Sequence, residues 1–371
     1  MPANCGMIAG ALEKMAPRDW AESWDNVGLL IGSPAQEVEK VLLSLDVTTA
    51  VVDEAWRTSA GLIISHHPFP FHSLKSIRLD TPEGELLAKL LQRNISVYAA
   101  HTNLDVALGG VNDALAGKLY LRNSAILRRR REALVKISTY VPAEYEETVW
   151  RAMSDAGAGC IGKYSECSFR TTGVGTFFPT GDAKPFIGRK NQLSRVGETR
   201  VESIAPARLA RQIVAAIVAA HPYEEPAYDI YPLNNDWSTD GLGRIGDLAN
   251  PVTLSDFAQI IRTALSVDGL RVVGDPKSIV RRVAVCGGAG MEVAKDAVQQ
   301  GAQVLVTGDI RYHDAQEALS MGLNLVDAGH FATEQPVLES LRRYLQDFSN
   351  NANWNCIFEI SQSQADVWRW I

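Results

Sequence analysis

Four places in the chain set metal-type ligands side by side: His66-His67, His101 with Asp105, Asp309 with His313, and His330 with Glu334. Together they use five of the seven histidines. Imidazole with carboxylate suits zinc, iron, manganese or cobalt, and no cysteine falls in any cluster, which argues against a structural cysteine-rich zinc site. Ligands this numerous exceed the needs of one tetrahedral ion. Two ions ~3.5–4 Å apart, sharing a carboxylate, would use them better, and such a centre activates water for hydrolysis. A lone histidine at a strand end more often caps a helix or bonds the backbone, so it is the set that points to metal. His101 and His313 are the members whose other role is to hydrogen-bond substrate or move a proton near neutral pH.

The elements that must position these groups are visible as apolar runs. Gly61-Leu62-Ile63-Ile64-Ser65 reads as a strand buried on both faces, stopped at His66-His67-Pro68 because proline has no N–H for the ladder. Neighbouring side chains of a strand point to opposite faces, so His66 and His67 are expected to diverge, each reaching a different ion or approaching from a different side. Further strands are read at 28–32, 41–46, 95–100, 283–286, 303–307 and 323–327, alternating with helices at 51–57, 83–92, 254–265 and 291–299. Thr48 or Thr49 is placed to cap the helix at 51–57. Alternation of this kind implies parallel pairing in an α/β architecture, whose ligand sites lie beyond the carboxyl ends of the strands. There the four clusters can meet.

Between 133 and 231 the rhythm changes to strand 133–140, helix 143–156, strands 166–177 and 195–203, helix 206–220 and strand 227–231. That order is β-α-β-β-α-β, the ferredoxin-like arrangement. The expected organisation is therefore a split α/β core with a metal site at strand carboxyl ends, interrupted by a ferredoxin-like α+β insert. Residues 1–131 and 246–371 form the two halves of the core, and 132–245 the insert. Arg128-Arg129-Arg130-Arg131 reads as a solvated linker, and Asn234-Asn235-Asp236 as the start of the exit linker. Cys286-Gly287-Gly288-Ala289-Gly290 has the pattern of a backbone anion nest opening a helix, although such glycines also serve as simple packing devices. Asp25, Asn26 and Asp46 read as turn and structural residues, His72 as a loop residue, and His221 as a helix-terminus or interface residue.

With 46% hydrophobic and 21% charged residues over 371 positions, the chain is of globular composition, and its net charge of −7 argues against general nucleic-acid binding. Five cysteines without a C-x-x-C pair fit a reducing compartment. The N-terminal segment lacks a signal-peptide pattern, and the most apolar helix-like stretch, 213–220, is far short of the ~20 residues a bilayer span needs. A cytoplasmic protein with no membrane partner is expected.

The chain resembles the GTP cyclohydrolase 1 type 2-like family, also called the Nif-three-like family, over nearly its whole length. The motifs that carry the resemblance are Ser23-Trp24-Asp25-Asn26-Val27-Gly28-Leu29, Ser65-His66-His67-Pro68, Ala100-His101-Thr102-Asn103-Leu104-Asp105, Thr307-Gly308-Asp309 with His313, and Asp327-Ala328-Gly329-His330 with Glu334. His221-Pro222-Tyr223-Glu224-Glu225-Pro226-Ala227-Tyr228 resembles the end of the PII- or CutA-like insert of longer bacterial members. The resemblance implies two divalent metal ions per chain, zinc, iron or manganese, on His66, His67, Asp105, His330 and Glu334, with His101 and His313 as catalytic candidates. It also implies a homohexamer built as a trimer of dimers, and hydrolysis of a nucleotide or related heterocycle, GTP in the sharpest form. The other reading it permits is a non-catalytic, regulatory or chaperone-like metal protein whose insert senses a partner or small molecule. Ala289 stands where many members carry serine.

Overall fold

A computed structural model describes residues 2–72, 75–130, 133–162, 164–235, 240–369 and 371. The positions Arg131 and Asp236 of the two expected linkers lie outside the described residues. The chain divides into two compact units, Met1–Arg130 with Asp240–Ile371, and Arg131–Thr239.

The first unit is mixed α/β and holds two large sheets. In the first, the strands run in the order Ile357–Ile360, Lys40–Ser44, Leu62–Ser65, Ser96–Ala99, Gly28–Ile31. All neighbours are parallel except the last pair. The central strands are apolar without alternation because both their faces are covered. Val41, Leu43, Leu62, Ile64 and Tyr98 pack under helices Cys5–Met15 and Pro336–Asn351. Leu42, Ile63 and Val97 pack under helices Thr49–Arg57 and Pro82–Gln92. Each such side chain contributes about 1.5–3 kcal/mol by leaving water. The helices start where side chains can accept orphan N–H groups: Thr48 takes that of Val51, and Thr81 that of Gly84 just ahead of Pro82.

The second sheet runs Arg271–Val273, Asn324–Asp327, Val304–Thr307, Ile279–Val285, Gly241–Thr253, Arg122–Arg129, with a parallel centre and antiparallel flanks. Its strands Gly241–Thr253 and Arg122–Arg129 go beyond the sequence reading, which sees a linker at 128–131, the start of another at 234–236, and no strand in either stretch. Arg128 is not a solvated linker residue; it bonds Glu292 at 2.8 Å and Asp296 at 2.7 Å from within a strand. The reason lies in composition. Arg122–Arg129 is a polar edge strand, and Gly241–Thr253 carries glycines, a proline and a register shift, so neither shows an apolar period.

The second unit follows the order strand, helix, strand, strand, helix, strand. Its antiparallel sheet runs Tyr228–Leu233, Leu134–Val141, Ser194–Pro206, Phe169–Phe177. Helices Glu146–Asp155 and Ala210–Ala220 cover one sheet face through Val149, Met153, Ile213 and Ile217 against Ile137 and Val201. His221 ends the second helix and is buried. Its Nε2 bonds the Tyr140 carbonyl at 2.9 Å, and its Nδ1 accepts the Tyr223 N–H at 3.0 Å. Burial lowers the pKa of this imidazole below the ordinary histidine value, against the bond to the Tyr140 carbonyl and the Glu198 charge, which raise it.

Candidate metal centre

Register brings the ligands to one place. Ser44, Ser65 and Ala99 stand level across the first sheet, so Asp46, His66, His67 and His101 all emerge just beyond its carboxyl ends. Val285, Val306 and Val326 are level in the second sheet, and Gly288, Asp309 and His330 emerge from its parallel strands in the same way. The two sets face each other within the first unit.

Each of four imidazoles is tied down through Nδ1. His66 bonds the Ala100 carbonyl at 2.8 Å, His67 the Asp46 carboxylate at 2.8 Å, His101 that of Asp25 at 2.9 Å, and His330 that of Asp309 at 2.7 Å. Anchoring of this kind fixes the ring and presents Nε2 inward, as outer partners do for metal-bound histidines. His66 Nε2 lies 3.6 Å from Asp105 Oδ1 and 3.5 Å from Glu334 Oε1. His67 Nε2 lies 3.1 Å from Glu334 Oε2 and 3.3 Å from His330 Nε2, which is itself 3.1 Å from Glu334 Oε1. His66 and His67, with ring centres 5.0 Å apart and planes at 45°, thus address different oxygens of one carboxylate.

Two groups of side chains offer ligand atoms all within 4.8 Å of one another: His66, His67 and His101, and His67, His330 and Glu334. These His/Glu groups could hold a metal ion. The fit is shown by what the chain leaves poorly satisfied: His66 Nε2, Asp105 Oδ1 and Glu334 Oε2 are buried polar atoms that make no well-aligned hydrogen bond, only the close contacts of 3.1–3.6 Å within the cluster. Buried groups of this sort cost about 1–3 kcal/mol each unless something pairs them. The donors in these two groups are nitrogen and oxygen only; Cys286, whose thiol burial pushes well above its usual range, belongs to neither.

Charge in the cluster is redistributed accordingly. Burial opposes ionisation of Glu334, but His66 and the bonds from His330 and His67 outweigh it and hold the carboxyl well below its ordinary value. Asp105 is lifted to about 6, chiefly by burial, with the His66 charge pulling the other way and Glu334 adding to the rise. His67 is raised to about 10 against its own desolvation, by its bonds to Asp46 and Glu334. His330 is raised to about 9, first by its bond to Glu334.

Among the residues singled out in the sequence, His66, His67, His101, Asp105, His330 and Glu334 come together. Asp309 acts through His330. His313 stands apart on the exposed side of helix Tyr312–Ser320, its Nδ1 3.2 Å from Gln316 Oε1. The glycine loop is no open anion nest. The N–H groups of Gly287, Gly288 and Gly290 already donate to Asn112, Thr333 and Thr307 at 3.0, 3.0 and 2.8 Å. It serves instead to let Glu334 come close.

Asp25 and Asp46, read from the sequence as turn residues, are histidine anchors. The signal for Asp46 was available: it lies two positions past its strand, as His67 lies two past the neighbouring one. Asp46→Ala is expected to weaken metal binding about 10–100-fold while stoichiometry survives at saturating metal. Competition with a chromophoric chelator measures this, and an unchanged affinity would show that His67 needs no anchor.

Similar proteins bear the same arrangement of sequence and fold. The model of the family described as Duf34/NIF3 (NGG1p interacting factor 3) matches residues 3–366. A protein of Bacillus subtilis named GTP cyclohydrolase 1 type 2 homolog is 43% identical over 364 residues, 98% of this chain and 97% of that one. A Mycobacterium tuberculosis protein of the same name is 41% identical over 341 residues, 91% of this chain and 89% of its own. A crystal structure of a Bacillus cereus protein related to NIF3 aligns over 100% of both chains with a TM-score of 0.84 and 43% identity. One from Staphylococcus aureus covers 100% of this chain and 99% of its own at TM-score 0.83 and 34% identity.

Proposed function

The chain belongs to the Duf34/NIF3 family, and from that premise we propose that it is a dinuclear metal-dependent hydrolase of a nucleotide or related heterocycle, GTP in its sharpest form. The observation that supports this is the buried trio His66 Nε2, Asp105 Oδ1 and Glu334 Oε2, which make no well-aligned hydrogen bond amid four imidazoles whose Nδ1 atoms are all anchored. His66, His67, Asp105, His330 and Glu334 would hold two divalent ions, zinc, iron or manganese. When bound, such ions acidify water and polarise an electrophilic carbon.

The chain's own residues supply the rest. Asp46, Asp309 and the Ala100 carbonyl orient the ligand rings, and burial keeps the donor atoms from bulk water. His101, held by Asp25 through Nδ1, is the proton carrier in this reading, because its other nitrogen faces the cluster. His313 is assigned to a hydrogen bond with the outer part of a substrate. Assembly as a homohexamer, a trimer of dimers of 40.5 kDa chains, is part of the same proposal, and a solution mass six times that of the chain would be its test. So is a cytoplasmic location; among the described residues no helix is long and apolar enough to cross a membrane.

Two measurements test the reading. Metal-replete protein is expected to release formate from GTP with turnover; absence of release from loaded protein overturns the sharp form. Metal uptake is expected to release protons. Without metal, His67 at about 10 and His330 at about 9 are both protonated at neutral pH, and an imidazole must be neutral to bind. Protons therefore compete, and affinity should rise from about pH 6 to about pH 8, as seen by titrating zinc into stripped protein in weak buffer. An affinity flat across that range would mean these histidines are not ligands.

A second reading is favoured by a separate observation. The Arg131–Thr239 unit is a complete β-α-β-β-α-β module, which we take as a PII/CutA-like insert. In that reading the chain is a metal-binding regulatory or chaperone-like protein, metal-loaded without turnover, whose insert senses a partner or small molecule.

A further inference from the structure

The Arg131–Thr239 unit contains a cavity of about 570 Å³ lined wholly by its own residues. That is the size of a small-molecule site. Helices cover one face of the unit's sheet; the cavity lies on the other. Register sets its floor: Arg200 pairs with Tyr140 on one side and Thr171 on the other, and Glu198 pairs with Gly173. The segment that follows strand Phe169–Phe177 contributes Pro179 and Phe186 to the lining, and Tyr223 comes from the stretch after His221.

Two properties define what this space would take. Its walls are aromatic: Tyr223 has ring centres 6.1 Å from Phe177 and 6.2 Å from Phe186, which in turn is 5.7 Å from Tyr145. Its charge is acidic, from Glu198, Glu224 and Glu225. Among the lining residues Arg200 is the cation; its Nη2 lies 3.1 Å from Glu202, which also pairs with Lys136, and its Nε is buried without a hydrogen-bond partner, so one positive charge stands against the three carboxylates. Glu198 is held in place by the Tyr223 hydroxyl, which donates to its Oε1 at 2.8 Å. Ring faces carry the negative end of the aromatic quadrupole, so carboxylates and stacked rings attract the same kind of guest. An anionic aromatic would be repelled, and a neutral apolar one would leave the negative charge of the carboxylates without a counter-charge.

We propose that this cavity binds a small planar aromatic or heteroaromatic cation, a ring system carrying a protonated amine or amidine, stacked beside Tyr223 with its positive edge toward Glu198. The site needs no metal and involves none of the ligands of the metal centre. It is therefore independent of whether the chain hydrolyses anything.

The structure supplies a way to close the cavity without disturbing its walls. A Cβ built on Gly173 meets nothing within 4 Å, and the residue lines the space from an edge strand, where an aromatic side chain is well tolerated. The full chain would be titrated with proflavine, a planar tricyclic cation, and with 1-anilinonaphthalene-8-sulfonate, an aromatic anion, following fluorescence and checking stoichiometry by equilibrium dialysis. Proflavine should saturate at one per chain and bind at least about tenfold tighter than the anion. Gly173→Phe should abolish that binding with melting temperature and metal content unchanged. Glu198→Gln, which keeps the shape and an acceptor for Tyr223, should weaken it about tenfold. Failure of proflavine to saturate at one per chain overturns the proposal. So does tighter binding of the anion, or wild-type proflavine affinity in either variant. Should Gly173→Phe fail to fold, Glu198→Gln and the two-dye comparison still decide it.

Discussion

Glu334→Gln is expected to leave the purified chain essentially without bound metal. Glu334 is 3% exposed, and its two oxygens lie 3.1–3.5 Å from the Nε2 atoms of His66, His67 and His330. Three imidazoles thus converge on this one carboxylate. Glutamine keeps the volume but replaces one oxygen by an N–H donor and removes the negative charge that holds His330 and His67 in place. An ion approaching the variant would meet a donor where it needs a lone pair, and a site more positive by one charge. Removal of an outer anchor costs about 10–100-fold in affinity; loss of this inner carboxylate should cost more. Elemental analysis after gel filtration, with calorimetric titration of stripped protein, gives the answer. Retention of wild-type stoichiometry would remove Glu334 from the ligand set.

The second large effect comes from a residue with no side chain. Gly288 has φ +62, and a Cβ there would fall 2.4 Å from Glu334 Oε1 and 3.3 Å from His330 Nε2. Alanine therefore pays twice: about 1–2 kcal/mol for the left-handed backbone, and displacement of the carboxylate that the three histidines converge on. Gly301 separates the two costs, since it has φ +77 but nothing within 4 Å of its Cβ position. Gly301→Ala and Gly288→Ala should both lower thermal stability, while only Gly288→Ala should lose metal. Equal metal content in the two variants would show that the carboxylate can move aside at no cost. Glycine at 288 is thus retained for close approach to Glu334 and for a backbone conformation at once.

The same position shows how sequence patterns mislead at a site. A glycine run after a strand looks like a cradle for an anion. In the fold its N–H groups are consumed by Asn112, Thr333 and Thr307, two of which lie on short helices flanking the cluster. Pattern alone cannot say whether donors are free, because their partners are distant in the chain. His313 illustrates the reverse case. Its spacing from Asp309 groups the two in sequence, but the helix starting at Tyr312 turns its ring outward to Gln316.

By itself the sequence determined the apolar strands that end in histidine, the parallel α/β character of the core, the change of rhythm in the middle, and the residues with ligand chemistry. These are local properties: runs without alternation mean burial on both faces, and a proline or glycine after them marks where the chain leaves the sheet. Only the tertiary structure decided that the core carries two sheets, that the polar stretches Arg122–Arg129 and Gly241–Thr253 are strands, and that Asp25 and Asp46 act by fixing imidazoles. It decided as well that Glu334 stands where His66, His67 and His330 meet. The physical reason is common to all of these. Strand register and the pairing of groups hundreds of residues apart are set by packing and by the satisfaction of buried polar atoms, and neither leaves a period in the chain.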